Sequence, residues 1–436
     1  MFINNESNLL IQDLKECTAH IKKTKALKVS LFVNLVYVVI TILCFFIVPY
    51  FTPLENTIIA NDYRIFYQSA QTILADPEQL YILPDYNMPF RYLPFFSLLF
   101  LPYTFIPFEV GFVIHTFLLG IFQTGSFYLI YIVSTHFYNT KYNTKVRSDL
   151  LFLVLMAPLQ VPMIMMGQVS HIFIFLMLIV LLLIENARKK RYYIKYQYIA
   201  IGLILGLGIS FKPYAILILP LLAKLFISLA GKRIKIDFGI LFTLLLGLGI
   251  SHIINLIYFF TYPGFGQEFL NINITAQIIN YPSSSLTRII SVVFESFSIE
   301  AIVMIILTFI LYGFIYSVYL ITPSEKINYP SYFGMVILLV MIVFTDSWFL
   351  NFLIWFMLVF PGLFRYEDEI NLISSESLKK KLKISNFITY KIIYYSIVYF
   401  TAGVVIGLTI FPTDPILPFF LIILYFNLLG RLFRNH

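Results

Sequence analysis

Residues 197–230 read QYIAIGLILGLGISFKPYAILILPLLAKLFISLA. Two apolar runs, 197–211 and 213–230, are parted by a single charged residue, Lys212, and by Pro213, which has no N–H to continue a helix. Roughly 17–25 apolar residues cross a hydrocarbon core. The pair therefore reads as a tight hairpin of two short membrane helices with Lys212 at its tip.

Working outward, comparable runs fall at about 29–51, 107–135, 149–166, 169–185, 236–261, 299–320, 329–345, 347–364, 388–411 and 415–430. Of the 436 residues 60% are hydrophobic and 12% charged, and mean hydropathy is +0.87. A soluble domain needs more polar surface than this. The expectation is an all-α polytopic membrane protein of about twelve transmembrane helices with additional juxtamembrane helices on the outer side. The first run is expected to be a retained helix, not a signal peptide. Residues 93–106 are apolar but short and carry Pro94 and Pro102, so they read as a juxtamembrane or re-entrant piece. Within 1–28, Leu10, Leu14, Cys17 and Ile21 recur at helical spacing among lysines, the pattern of an interfacial helix on the cytoplasmic leaflet. The remaining divisions are a transmembrane module over 29–364, a cytoplasmic loop over 365–387 and a C-terminal transmembrane pair over 388–436.

Lysine and arginine set the orientation. The segments 1–28, 136–148, 186–196, 224–235, 321–328, 365–391 and 431–436 hold 26 of the 30 basic residues. Twelve crossings place all of these segments on one side, which the positive-inside rule makes cytoplasmic. Both termini are then cytoplasmic in a multi-pass cell-membrane protein, and long outer loops fall at 52–106 and 262–298. The same distribution removes the nucleic-acid reading that a net charge of +8 invites. Two cysteines, Cys17 and Cys44, support neither a disulfide framework nor a cysteine metal site. No P-loop, Gly-x-Ser-x-Gly, His-Glu-x-x-His or Rossmann glycine pattern is present, and no other His or Cys stands at metal-ligand spacing to His171.

The outer side holds four basic residues, Arg64, Arg91, Lys212 and Arg288, so each is informative. Asp62 opens the segment Asn61-Asp-Tyr-Arg-Ile-Phe-Tyr, where Phe66, Ala70, Ile73 and Leu74 suit an amphipathic helix on the outer leaflet. An aspartate there is either a helix N-cap or a general base at the membrane face. Tyr81, Phe90, Arg91, Tyr92 and Pro94 form an aromatic cluster around a guanidinium that can grip a phosphate, although interfacial aromatics also serve as belt residues. Gly167-Gln168-Val169-Ser170-His171 and Phe211-Lys212-Pro213 fall at outer hairpin tips. Lys212 either snorkels to the surface or meets an anion, and His171 is either a packing histidine or a ligand. Ser285, ahead of Arg288, either caps the following helix or hydrogen-bonds a sugar. Ser347-Trp348 sits at another outer turn.

In this order, the elements resemble the GT-C membrane glycosyltransferases, and within them family 87. The resemblance rests on Asp62-Tyr-Arg-Ile-Phe66-Tyr67, Gln79-Leu80-Tyr81, Phe90-Arg91-Tyr92-Leu93-Pro94, Gly167-Gln168, Gly202…Gly206…Lys212-Pro213, Ser283-Ser284-Ser285-Leu286 with Arg288, and Ser347-Trp348. It covers roughly residues 29–364; Leu350, Asn351 and Phe352 stand where the family carries histidines. The resemblance implies a GT-C fold and inverting transfer of a hexose, commonly mannose, from a polyprenyl-phosphate donor. The implied acceptor is a glycan, glycolipid or protein on the outer face. It assigns Asp62 as base, Arg91, Lys212 and Arg288 to the donor phosphate, and Tyr81, Tyr92, Gln168, His171, Ser285 and Trp348 to sugar or lipid. No metal or cofactor is implied; the partners are the lipid-linked sugar, the acceptor and membrane lipids. The rival from another class is a lipid or sugar transporter, which calls for an inverted repeat and charged residues near the midplane of broken helices; the sequence shows no repeat.

The orientation is testable without an assay. A cysteine introduced at position 85 should react with an impermeant maleimide from outside intact cells. Labelling only from the cytoplasmic side would contradict the orientation and the outer placement of the site.

Overall fold

In the computed structural model the described residues are 3–82, 89–138, 150–151, 159–230, 233–275, 283, 285–294, 299–344, 347, 350–363, scattered positions between 375 and 395, and 417–433. Trp348, Ser284, nearly all of the 365–387 loop and most of the run expected at 388–411 lie outside them. Among the described residues, five helices are long and apolar enough to cross a membrane: Lys25–Tyr50, Phe108–Phe137, Ser170–Lys189, Phe238–Thr261 and Glu300–Ile321. Five shorter apolar helices fall at Gln197–Phe211, Pro213–Phe226, Tyr329–Val343, Asn351–Leu363 and Pro418–Phe433. All ten coincide with runs read from hydropathy.

The chain divides into two compact units. The first comprises Met1–Leu129, Gln160–Ile216 and Ile236–Gln277. Its tightest packing joins Gln197–Phe211 to Phe238–Thr261. A Cβ on Gly202 would lie 2.1 Å from the Leu244 carbonyl oxygen, and one on Gly247 would lie 2.1 Å from that of Ile199. Gly206 similarly faces Ser251 Oγ. Lipid offers little hydrophobic drive for helix association, so small residues that let backbones touch provide the packing energy.

The N-terminal helix Ile3–Lys23 belongs to this unit. Cys17 and Ile21 are buried with Asp13, whereas Leu10 and Leu14 remain exposed. Asp13 accepts a forked pair from Arg191, Nη2 to Oδ1 at 2.6 Å and Nε to Oδ2 at 3.0 Å, and also the hydroxyl of Tyr192. Asn186 in turn holds Tyr192 through its backbone N–H and carbonyl.

The second unit comprises Ile130–Leu159, Leu217–Lys235 and Ile278–His436. Tyr329–Val343 is buried along its whole length, and Asn351–Leu363 nearly so. Helices that are apolar all round belong in such a core. Asn328 fastens the pair, capping Ser331 N–H at 3.3 Å and donating to the Gly362 carbonyl at 2.8 Å.

The run at 213–230 departs from the expected single α-helix, and with it the fold from a wholly α description. Pro213–Leu222 is a 3₁₀-helix, followed by a short α-turn, Ala223–Phe226, and a strand, Ile227–Ala230, paired with Arg233–Ile236. Pro220 inside the run removes a backbone donor. The carbonyl three residues back, Leu217, receives the Tyr312 hydroxyl instead, at 2.9 Å. Tyr319 performs the same repair one turn on, donating to Leu221 O at 2.6 Å and accepting from Lys224 N at 3.0 Å. Rising about 2.0 Å per residue against 1.5 Å for an α-helix, the 3₁₀ stretch lets a short segment reach further.

Candidate functional site

The Asn61–Ala75 helix begins from a strained residue. Ala60, at the cap position, is left-handed (φ 57°, ψ 16°) without being glycine. Such a backbone costs about 1–3 kcal/mol and persists when its surroundings dictate it. Here the Ala60 N–H is tied to the Met165 carbonyl at 2.7 Å. Tyr63, Phe66, Ala70 and Ile73 are buried, with Phe66 packed against Phe96 at 4.9 Å and Phe100 at 5.0 Å between ring centres. The apolar face expected to lie on lipid is therefore packed on protein, and Leu74 alone of the four apolar residues named for it is exposed.

Asp62 stands in the first helical turn, not at the cap, and its carboxylate receives no hydrogen bond from a described residue. Ala60 fills the cap position, so the capping role is not realised. Asp62 is nevertheless buried, at 7% exposure. Burial pushes its pKa up to about 6, against the opposing pull of the Lys212 charge.

Lys212 closes the Gln197–Phe211 helix, its N–H bonded to Gly208 O at 2.8 Å. Pro213 holds it in an extended conformation. The side chain is 8% exposed, with Nζ 5.6 Å from the centre of the Tyr92 ring. Burial pulls its pKa down to about 8, opposed by the charge of Asp62. No ion pair within 4 Å joins the two among the described residues. A carboxylate and an ammonium thus share one buried neighbourhood, close enough to tune each other and not neutralised by contact.

Tyr92 lies near Lys212 and within reach of the Asp62 charge. Its ring stacks on Phe96 at 4.3 Å and meets the edge of Phe66 at 5.1 Å. Burial raises its phenol pKa well above the ordinary value; the Asp62 charge adds to this, while neighbouring Arg91 works against it. The Tyr81 hydroxyl donates to the Tyr92 carbonyl at 2.9 Å, and the Tyr81 ring packs among Phe90, Phe265 and Phe269. Tyr81 thus braces the backbone that presents Arg91 and Tyr92.

A residue that sequence reasoning missed fixes the register. Asn255, buried in the Phe238–Thr261 helix, accepts from Phe95 N–H at 2.8 Å. Its amide nitrogen donates to Ser210 Oγ at 3.2 Å and His252 Nδ1 at 3.0 Å. It therefore clamps the Arg91–Tyr92 segment to the helix end that carries Lys212. The available signal was an amide in an otherwise apolar run, which is costly without partners.

Gly167, at φ 71°, ends the Gln160–Met166 helix in a Schellman turn, with Gln168 N to Met163 O at 2.9 Å and Gly167 N to Ile164 O at 3.0 Å. A Cβ there would strike Tyr63 at 2.7 Å. Gln168 Oε1 then takes Ser170 N–H and Oγ–H, at 2.9 and 2.6 Å, at the start of the next helix. His171 is buried, and its Nε2 has no hydrogen-bond partner among the described residues.

Asp62, Tyr81, Arg91, Tyr92, Gln168, His171 and Lys212 all belong to the first unit; Ser285 and Arg288 belong to the second. There Ser285 Oγ caps the Leu286–Val293 helix by accepting from Arg288 N–H at 3.1 Å. The Arg288 guanidinium faces Glu300, both buried, with Nε 4.0 Å from Oε1.

The family model for glycosyltransferase family 87 matches residues 90–345. It takes in Arg91, Tyr92, Gln168, His171, Lys212, Ser285 and Arg288; Asp62 and Tyr81 precede it, and Trp348 follows. A search of curated proteins finds no match.

The mutual tuning of the two charges has a direct consequence. Lys212 holds Asp62 below the value that burial alone would set, so Lys212→Met should move its half-protonation point above about 6. Carbodiimide labelling of the protonated carboxyl across a pH series measures this. An unmoved midpoint would mean the two groups do not sense each other. An acid whose pKa rises on folding makes the fold less stable once ionised. The same variant should therefore go on losing stability as pH rises beyond about 6, where the loss in the unsubstituted protein levels off.

Proposed function

This chain belongs to glycosyltransferase family 87, and from that membership we propose that it transfers a hexose, by preference mannose, from a polyprenyl-phosphate donor to a lipid-linked, glycan or protein acceptor on the outer membrane face. The observation that carries the proposal is the convergence of Asp62 and Lys212 around Tyr92 within one unit, each buried and shifted toward neutral pH by that burial.

The chemistry follows from the charges. In an inverting displacement an acceptor oxygen attacks the anomeric carbon while the bond from that carbon to the phosphate oxygen breaks. The acceptor proton needs a base, and the departing phosphate, which keeps the bonding electrons, needs positive charge. Asp62, with a pKa of about 6, is mostly ionised at neutral pH and is a stronger base than an ordinary carboxylate. Lys212, at about 8, is still mostly protonated there. An ammonium fixed before the reaction stabilises the charge that develops on the leaving group without reorganisation. Arg91 supplies a second positive charge beside Tyr92. Arg288 belongs to the second unit, where it faces Glu300; within the first unit the phosphate-side candidates are Lys212 and Arg91. Tyr92 offers an aromatic face and a hydroxyl to the sugar, and Gln168 an amide nitrogen. A lipid-borne donor accounts for a site built next to membrane helices.

Asp62→Asn tests the assignment, because the amide keeps the shape of the side chain but cannot take a proton at neutral pH. The variant should fold and bind donor normally while turnover falls by roughly 10²–10⁴-fold. Transfer within a few-fold of the unsubstituted protein would place the base elsewhere.

A further inference from the structure

Tyr214 follows Lys212 by two residues, across Pro213. The Ala215 N–H bonds to the Lys212 carbonyl at 2.9 Å, closing a turn that keeps residues 212–215 together. The Tyr214 ring meets the edge of Phe173 at 5.9 Å between centres. Its hydroxyl is shut off from solvent and makes no hydrogen bond to any described residue. A buried hydroxyl without a partner destabilises the fold, and a phenylalanine of the same outline would not carry that cost. Packing therefore explains the ring and leaves the oxygen unexplained.

Tyr92, whose ring lies 5.6 Å from Lys212 Nζ, senses the charges of Asp62 and Arg91 and also senses Tyr214. The phenol thus stands on the same neighbourhood as the ammonium and the carboxylate. The non-bridging oxygens of a phosphodiester accept hydrogen bonds and donate none. A neutral phenol donates to such an oxygen without adding charge to a pocket that already holds Lys212. The bond tightens as the phosphate leaves and gains charge.

We propose that the Tyr214 hydroxyl is a second ligand to the donor phosphate, beside Lys212. This rests on the reading of the Asp62–Lys212 neighbourhood as the transfer site.

Tyr214→Phe removes one oxygen and no hydrogen bond to a described residue. The variant should melt at the same temperature as the unsubstituted protein, or higher. At the same time kcat/KM for a polyprenyl-phosphate sugar should fall by roughly 10- to 100-fold, the effect of losing one charge-assisted hydrogen bond. Polyprenyl phosphate without a sugar should inhibit the variant, and raise its melting temperature, correspondingly less. Three results would overturn the proposal: donor kinetics and polyprenyl-phosphate binding both within two-fold of the unsubstituted protein; a lowered melting temperature, which would make the oxygen structural; or weakened donor use with polyprenyl-phosphate binding intact, which would put the contact on the sugar. Asp62→Asn measured in parallel separates the two levels. If it is inactive while Tyr214→Phe is unaffected, this inference alone fails; if it remains active, the reading of the site fails.

Discussion

In a hydrocarbon environment a backbone N–H or carbonyl without an internal partner has no water to turn to, and much of this protein is organised around that constraint. Where Pro220 deletes a donor, the Tyr312 hydroxyl reaches the stranded Leu217 carbonyl. Where the 3₁₀ stretch ends, Tyr319 is inserted between Leu221 and Lys224. Asn328 serves Gly362, and Asn255 serves the N–H of Phe95 at the start of a short helix. Asp62 and Lys212 stand out against this background. They are buried charges that share a neighbourhood without a direct pair, at a cost to the fold that packing does not require.

The packing explains how that cost is sustained. Gly202, Gly206 and Gly247 bring two helix backbones into contact, and the helix end that carries Lys212 inherits their rigidity. Asn255, on the partner helix, ties Ser210 to Phe95, so Tyr92 and Lys212 are set by one amide. On the other side, Met165 holds Ala60 in its left-handed conformation and thereby aims the first turn of the Asp62 helix. Each element of the site is held by a contact remote in sequence, the kind of preorganisation that electrostatic catalysis requires.

The same distinction separates what the sequence discloses from what it does not. Hydropathy locates ten apolar helices because span length is a local property. The break at Lys212-Pro213 is legible for the same reason. The role of Asp62 is not: whether it caps depends on Ala60, whose conformation is dictated by a carbonyl far along the chain. Asp13 is equally opaque, since its partner Arg191 lies 178 positions away. Ser285 proves to cap a helix, a role open to any serine before a helix start. Pro220 within the run 213–230 and Asn255 within an apolar run are visible in the sequence, but the partners that give them their roles, Tyr312 and Phe95, are remote along the chain. Tyr214 has no sequence signature, because only the structure shows that its hydroxyl lacks a partner among the described residues.

The central claim is that the Asp62–Lys212 neighbourhood serves a sugar carried on a lipid phosphate. The most direct measurement is transfer by the purified protein in lipid nanodiscs, comparing a panel of radiolabelled polyprenyl-phosphate hexoses with the matching nucleotide sugars and a mixed lipid and glycan acceptor fraction. The account predicts label in the acceptor from a polyprenyl-phosphate hexose, mannose above the others, and none from nucleotide sugars. Transfer from a nucleotide sugar, or label moved across the bilayer without a new glycosidic bond, would contradict it.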